Sequence, residues 1–223
     1  MKSNYIHVCF VVDESGSMYN STEDVIKGVQ KIIDEQRANT NGICKISLYK
    51  FSNDVEKCYT FQDVNSIPKF TFRAHDCTAL NDGVGTAIDE IGKILADTPE
   101  DERPEQNMIV VITDGFENMS KEYTLEQVKD RIKHQEEKYN WKFVYLGVDL
   151  MSSEQANKYG FKNQGYSVRS KLRKAYDAIN TVVATFRNTT GTTTFKNNVL
   201  NNMTTAIMDS LNDEYRVDTG INV

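Results

Sequence analysis

Three short oxygen-rich stretches carry the residues best suited to chemistry in this chain. Asp13, Ser15 and Ser17 alternate in a turn that leaves an apolar run, Thr78 stands in Asp-Cys-Thr-Ala-Leu just before a helical pattern, and Asp114 follows a later apolar run in Thr-Asp-Gly. Two carboxylates and three hydroxyls are hard donors. A hard dication such as Mg2+ takes about six oxygens near 2.1 Å and keeps some of its water. These five side chains therefore make a partial shell for one divalent ion, Mg2+ first and Mn2+ or Ca2+ as substitutes. Two aspartates only neutralise a dication, so the ion would still attract a third carboxylate from outside. Each element alone is weak evidence. Asp-x-Ser-x-Ser is commonly a turn whose side chains bond the backbone, Asp-Gly is an ordinary turn, and a lone threonine can cap a helix. The conjunction carries the argument, because all three stretches sit where strands end or a helix begins.

The elements that must position these residues are legible as periodic patterns. YIHVCFVV (5–12), NMIVVIT (107–113) and WKFVYLGV (141–148) are continuous apolar runs, the mark of strands buried on both faces. ICKISLYKFS (43–52) and VEKCYTF (55–61) flank Asn53-Asp54 and predict an antiparallel hairpin. Helical stripes recur over 21–37, 81–95, 124–139 and 167–187, with a short helix over 152–160. The first of these opens with a Ser/Thr cap and an acidic turn. Strand and helix alternate, which predicts an α/β fold: a doubly wound, mostly parallel six-stranded sheet with one antiparallel edge strand and helices on both faces. In such sheets the functional crevice lies beyond the carboxyl ends of the strands, where strand order reverses. Asp13 and Asp114 leave two strands at that edge.

Residues 1–188 are expected to form this domain, and 189–223 a polar linker and a C-terminal amphipathic segment. The linker is read over NTTGTTTFKNNV (188–199). Beyond it Leu200, Met203, Ile207, Leu211 and Tyr215 recur at helical spacing and are expected to pack back on the domain rather than serve as an assembly handle.

Composition excludes several classes. A hydrophobic fraction of 39% supplies enough apolar material for a full core, which argues against disorder. A net charge of −6 with mixed signs argues against broad binding to nucleic acid or anionic membrane. Arg169, Lys171, Arg173 and Lys174 form the sharpest basic run, read as a solvated helix face. The N-terminal apolar run is too short for a membrane span and lacks a signal peptide's cleavage pattern, so a cytoplasmic protein is expected. Cys9, Cys44, Cys58 and Cys77 match no metal knuckle and read as free thiols, although Cys44 and Cys58 could face each other across the hairpin.

VVDESGSM (11–18), Thr78 in CTALNDGVG (77–85) and ITDG (112–115) together resemble the metal-ion-dependent adhesion site of the von Willebrand factor type A, or integrin I-like, domain family. The resemblance runs from about Tyr5 to Arg187, and FVYLGVDLMSSEQANKYGF (143–161) is most similar to small intracellular bacterial and phage members. It implies that Ser15, Ser17 and Thr78 coordinate the ion, that Asp13 and Asp114 bind directly or through water, and that a partner's Glu or Asp completes the shell. The implied function is a non-enzymatic, metal-dependent protein-binding module in an intracellular assembly. The stretch QDVNSIPKFTFRAHDC (62–77) departs from the family's usual Gly-rich approach to the threonine.

The alternative is a Mg2+-dependent phosphoryl-transfer enzyme, a phosphatase or receiver-like protein. Aspartate-nucleophile phosphatases need a second acidic residue two positions after the first, and that position holds Ser15. No acidic pair or strand-end lysine of a receiver domain stands out. Around the site, Glu14, Met18, Phe116 and Glu117 are read as rim residues that set partner specificity. Asp82 could bond a metal-bound water, with helix capping the simpler role. Asp76 and His75 flank Thr78 and read as a loop neighbour and a surface histidine, and His7 and His134 lack any partner at zinc spacing.

Overall fold

The computed structural model describes residues 1–114, 116–148, 156–166, 172–189 and 191–219. Its strands are β1 (Lys2–Asp13), β2 (Ile43–Phe51), β3 (Val55–Asp63), β4 (Pro104–Thr113), β5 (Lys142–Gly147) and β6 (Asn163–Tyr166). Its helices are α1 (Thr22–Ala38), α2 (Leu80–Asp97), α3 (Leu125–Tyr139), α4 (Leu172–Asn188) and α5 (Thr193–Thr219). The sheet order is β3-β2-β1-β4-β5-β6. β3 pairs antiparallel with β2, and the other pairings are parallel. The expected six-stranded, doubly wound sheet with an antiparallel edge is therefore the fold.

Burial on both faces explains the continuous apolar runs. Ile6, Val8, Phe10 and Val12 of β1 join one core with Val25, Val29, Ile32 and Ile33 of α1 and the inner face of α4. Cys9 and Val11 point the other way, into a second core built with Val84, Ile88 and Ile91 of α2 and Val128 and Ile132 of α3. The central strands β1, β4 and β5 alternate between these two cores, so a strict polar/apolar alternation does not develop in them. The helix–helix contact of the first core is close. A Cβ on Gly28 of α1 would lie 2.1 Å from the buried Tyr176 ring of α4, so glycine is required there despite its poor helix propensity.

One helix start differs from the sequence expectation. Ser21 does precede α1, but its backbone is not extended and its side chain makes no cap bond, because a 3-10 turn over Gly16–Ser21 runs directly into the helix. Thr124 does cap α3, in a reciprocal capping box with Gln127.

The region read as a 188–199 linker is largely helical, since α5 begins at Thr193. Its early turns are fastened by Lys196, whose ammonium lies 3.0 Å from the buried Glu105 carboxylate. Leu200, Met208 and Leu211 then enter the first core and Tyr215 the second, so this segment packs back on the domain. The sixth strand, β6, lies in polar NQGY, which the hydropathy pattern does not mark. It is covered by α5: a Cβ on Gly165 would meet Met208 Sδ at 2.6 Å.

The cysteines are free, including Cys44 and Cys58. Among the described residues no helix is long and apolar enough to cross a membrane. Gly115, the first four residues of the expected 152–160 helix, and Arg169 and Lys171 of the basic run lie outside the described residues, whereas Arg173 and Lys174 are exposed on α4.

Strand order reverses at the β1–β4 pair, with β2 and β3 on one side and β5 and β6 on the other. Val12 stands opposite Ile112, so Asp13 and Asp114 emerge side by side at the carboxyl edge. That is the crevice position of doubly wound sheets.

Candidate metal centre

Asp13 closes β1 and is fully buried. Its Oδ1 accepts the Ser15 N–H at 2.7 Å, which turns the chain away from the sheet. Its Oδ2 accepts the Thr113 hydroxyl at 2.5 Å from the end of β4. Burial pushes the Asp13 pKa up to about 6; bonds from Thr113 and Ser15 act against that rise, and the Asp114 charge adds to it. Among the described residues no cationic side chain figures among the groups acting on Asp13.

The hydroxyls continue the cluster. Ser15 Oγ and Ser17 Oγ are 3.0 Å apart, and Ser17 Oγ donates to Asp114 Oδ1 at 2.5 Å. Asp13, Ser15, Ser17 and Asp114 thus form one hydrogen-bonded chain across two strand ends. Asp13, Ser15, Thr78 and Asp114 are buried while Ser17 is exposed, so the cluster meets solvent at the serine turn.

Thr78 is placed by its backbone. Its N–H donates to Asn118 Oδ1 at 2.9 Å, and its carbonyl accepts the Asn118 N–H at 3.0 Å. On the other side the Asp76 carbonyl accepts the Gly16 N–H at 3.0 Å, and the Ala79 N–H donates to the Ser52 carbonyl at 2.8 Å. The threonine loop is thereby stitched to the serine turn, to β2's end and to the loop after Asp114. Asp76 contributes its carbonyl, while its exposed carboxylate faces His75 at 3.1 Å.

Several neighbours have roles other than those expected. Glu14 and Met18 are not rim residues. Met18 is fully buried in the first core. Glu14 is buried in an ion pair with Lys50 at 3.1 Å, and it also accepts the Arg73 N–H at 2.8 Å. Its carbonyl takes the His75 N–H at 2.6 Å. Burial is tolerated because Lys50, at the end of β2, supplies the opposite charge. Asp82 neither caps α2 nor faces the serine turn: its carboxylate accepts the N–H groups of Lys121, Glu122 and Tyr123 at 2.7–2.9 Å. Glu117 accepts the N–H groups of Asn81, Met119 and Ser120 and the Ser120 hydroxyl. Phe116 is half-buried.

Asp82, Glu117 and Asn118 together fix the loop after Asp114. Sequence reasoning missed Asn118 altogether, and nothing local marks it. Glu117 carried a faint signal in the Glu-x-x-Ser spacing that its own turn uses. His7 is buried and bonded to Asn107 and Ser47, and burial holds its pKa down at about 3.

The donor set suits a hard cation and little else. It contains carboxylates and hydroxyls, without imidazole or thiolate, and two carboxylates at strand ends repel each other in a buried setting. Among the described residues there is no cluster of three or more His, Cys, Asp or Glu placed to hold a metal. The site has two carboxylates, Asp13 and Asp114, and its remaining oxygens are hydroxyls.

A comparison with curated protein sequences returns no match. Among solved structures, the von Willebrand factor domain of the type V pili tip protein Mfa5 from Porphyromonas gingivalis aligns with a TM-score of 0.63 at 10% identity, covering 86% of this chain and 99% of that one. Proximal thread matrix protein 1 from the mussel byssus aligns with a TM-score of 0.58 at 20% identity, covering 82% of this chain and 47% of that one. The PilB minor pilin from Streptococcus sanguinis gives 0.56 at 14% identity, covering 81% and 61%. The chain thus spans about half the length of the mussel protein it matches. At these identities the likeness is one of fold. The family model for the von Willebrand factor type A domain matches residues 7–182, the greater part of the chain, and the chain belongs to that family.

Proposed function

We propose that this protein is a metal-dependent protein-binding module that holds Mg2+ at Asp13, Ser15, Ser17, Thr78 and Asp114 and captures a glutamate or aspartate of a partner protein. When bound, the ion supplies a coordination position for that carboxylate. The chain's own residues do the rest. Asp13 and Asp114 balance the ion's charge without exceeding it, so attraction for a third carboxylate persists. Ser15 and Ser17 set the spacing of the turn, and Asn118 holds the Thr78 backbone against the loop that carries Asp114.

The observation that carries this reading is the hydrogen-bonded run Asp13–Ser15–Ser17–Asp114 at the point where strand order reverses. Membership of the von Willebrand factor type A family supports a protein-interaction role, and the pilus and matrix proteins among the structural neighbours are consistent with it. Four free cysteines favour a reducing, cytoplasmic setting, with the module acting in an intracellular assembly.

The test is partner capture from lysate of the native host, using wild-type protein and Asp114→Ala as baits, each with and without EDTA. A partner held by wild type, released by EDTA, restored by Mg2+ and ignored by Asp114→Ala is the expected result. Capture that survives both the chelator and the substitution would place binding on another surface.

A further inference from the structure

The connection that brings Thr78 to the metal centre runs over 67–79 without helix or strand. With no ladder to join, its buried backbone groups need other partners. Side chains from outside the segment supply them. On α1, Arg37 donates to the Ile67 carbonyl at 3.0 Å, and Gln30 Oε1 accepts the Phe70 N–H at 2.8 Å. Phe70 and Phe72 sink into the first core. Toward the far end, Asn53 Oδ1 accepts the Cys77 N–H at 3.1 Å.

Glu14 holds the middle of this run. Its Oε1 accepts the Arg73 N–H at 2.8 Å, and its carbonyl accepts the His75 N–H at 2.6 Å. Its own N–H donates to the Phe51 carbonyl at 2.7 Å, at the end of β2. Two residues on, the Gly16 N–H reaches the Asp76 carbonyl at 3.0 Å. Asp76 turns with φ +60°, an uncommon backbone conformation outside glycine. The bonds just before that turn therefore decide where the chain delivers Thr78. Glu14 also stands between Asp13 and Ser15, so one residue joins the serine turn to the threonine loop.

The charge of Glu14 is provided for. Lys50 Nζ lies 3.1 Å from its Oε1 and 5.6 Å from the centroid of the Phe70 ring, so one ammonium meets both the carboxylate and the loop it holds. Both charged side chains are buried. Neither figures among the groups acting on Asp13, whose charged neighbour is Asp114. Glu14 serves the site through the chain and not through its field.

We propose that Glu14 is a positioning residue for the metal centre, with Lys50 as its counter-charge: its carboxylate fixes the chain before Thr78 against the serine turn. This role rests on Mg2+ binding by Asp13, Ser15, Ser17, Thr78 and Asp114, with Glu14 outside the shell.

The test compares full-length wild type with Glu14→Gln/Lys50→Met and Glu14→Met/Lys50→Met. Both variants lose the ion pair and carry the same net charge. Their residue-14 side chains are alike in length, and only glutamine keeps an oxygen for the Arg73 N–H. Replacing a buried pair by uncharged side chains of similar volume is often neutral or stabilising, so both should fold. Mg2+ affinity is read by calorimetry. In metal-free protein, hydrogen exchange is followed at the Arg73 and His75 amides, with Val110 of β4 as the core reference.

The expected result for Glu14→Met/Lys50→Met is Mg2+ affinity about tenfold weaker than wild type. Exchange should be faster at Arg73 and His75 and unchanged at Val110, and Glu14→Gln/Lys50→Met should recover most of both losses. Wild-type affinity in Glu14→Met/Lys50→Met would overturn the positioning role alone. Equal losses in the two variants would trace the effect to the ion pair and overturn the role of the carboxylate oxygen. Absence of Mg2+ binding by wild type would overturn the metal centre itself, and this role with it.

Discussion

Two buried carboxylates in this protein meet opposite fates. Glu105, at the amino end of β4, has a side chain 2% exposed and a lysine 3.0 Å away. Burial raises its pKa, but bonds from the Asn4 N–H, Lys196 and Thr193 outweigh that rise and hold it below the usual carboxylate range. Asp13, at the carboxyl end of β1, is buried as deeply, yet its charged neighbour is another aspartate, and its pKa is pushed up to about 6. At one edge of the sheet the chain provides the compensating cation itself. At the other it provides only oxygens. A buried charge without a counter-charge is costly, and under the proposed function a bound cation would offset that cost at Asp13.

The contrast can be broken first at Glu105. Lys196→Met should leave its carboxylate buried without a counter-charge and lower unfolding stability by about 3–5 kcal/mol, read by urea denaturation. A loss below about 1 kcal/mol would mean that the amino-edge pair is not the fastening described.

Histidine sharpens the same comparison by pH. The folded pKa of His7 is about 3 against an ordinary 6.5, so between these values the unfolded chain binds the extra proton and the folded one does not. Its contribution is intact above pH 6.5 and is lost as pH falls, by about 3 kcal/mol at pH 4. The difference in acid sensitivity between wild type and His7→Gln measures it, and parallel pH–stability curves would contradict it.

The smallest expected effect lies in the threonine loop. Asn118→Ala removes the acceptor for the Thr78 N–H. Mg2+ affinity should fall about tenfold or more with little change in stability, as is usual for groups that orient ligands. An unchanged affinity would show that Thr78 is placed without it.

Much of this arrangement is legible in the chain itself. Continuous apolar runs announced the central strands because both faces of the sheet are covered, and the oxygen-bearing residues that follow those runs had to emerge at one edge. What stayed hidden was set by distant contacts. Glu14 looks like a rim residue until Lys50 is found beside it. The Thr- and Asn-rich start of α5 has weak helix propensity, and its pairing of Lys196 with Glu105 is invisible from either segment alone. β6 is polar, and its Gly165 is needed because Met208 lies against it. Asn118 reads as one loop asparagine among several until the Thr78 backbone is seen to use both its side chain and its N–H.

Calorimetric titration of Mg2+ into wild-type protein, Asp13→Asn and Asp114→Ala tests the central claim most directly. Asp13 is ionised at neutral pH, and its pKa of about 6 means that carrying this charge costs folding free energy, so metal-free Asp13→Asn should be folded and more stable than wild type, by about 1–3 kcal/mol. Wild type should bind one Mg2+ saturably, and neither folded variant should bind it. Equal binding by the variants, or none by wild type at millimolar Mg2+, would contradict the account.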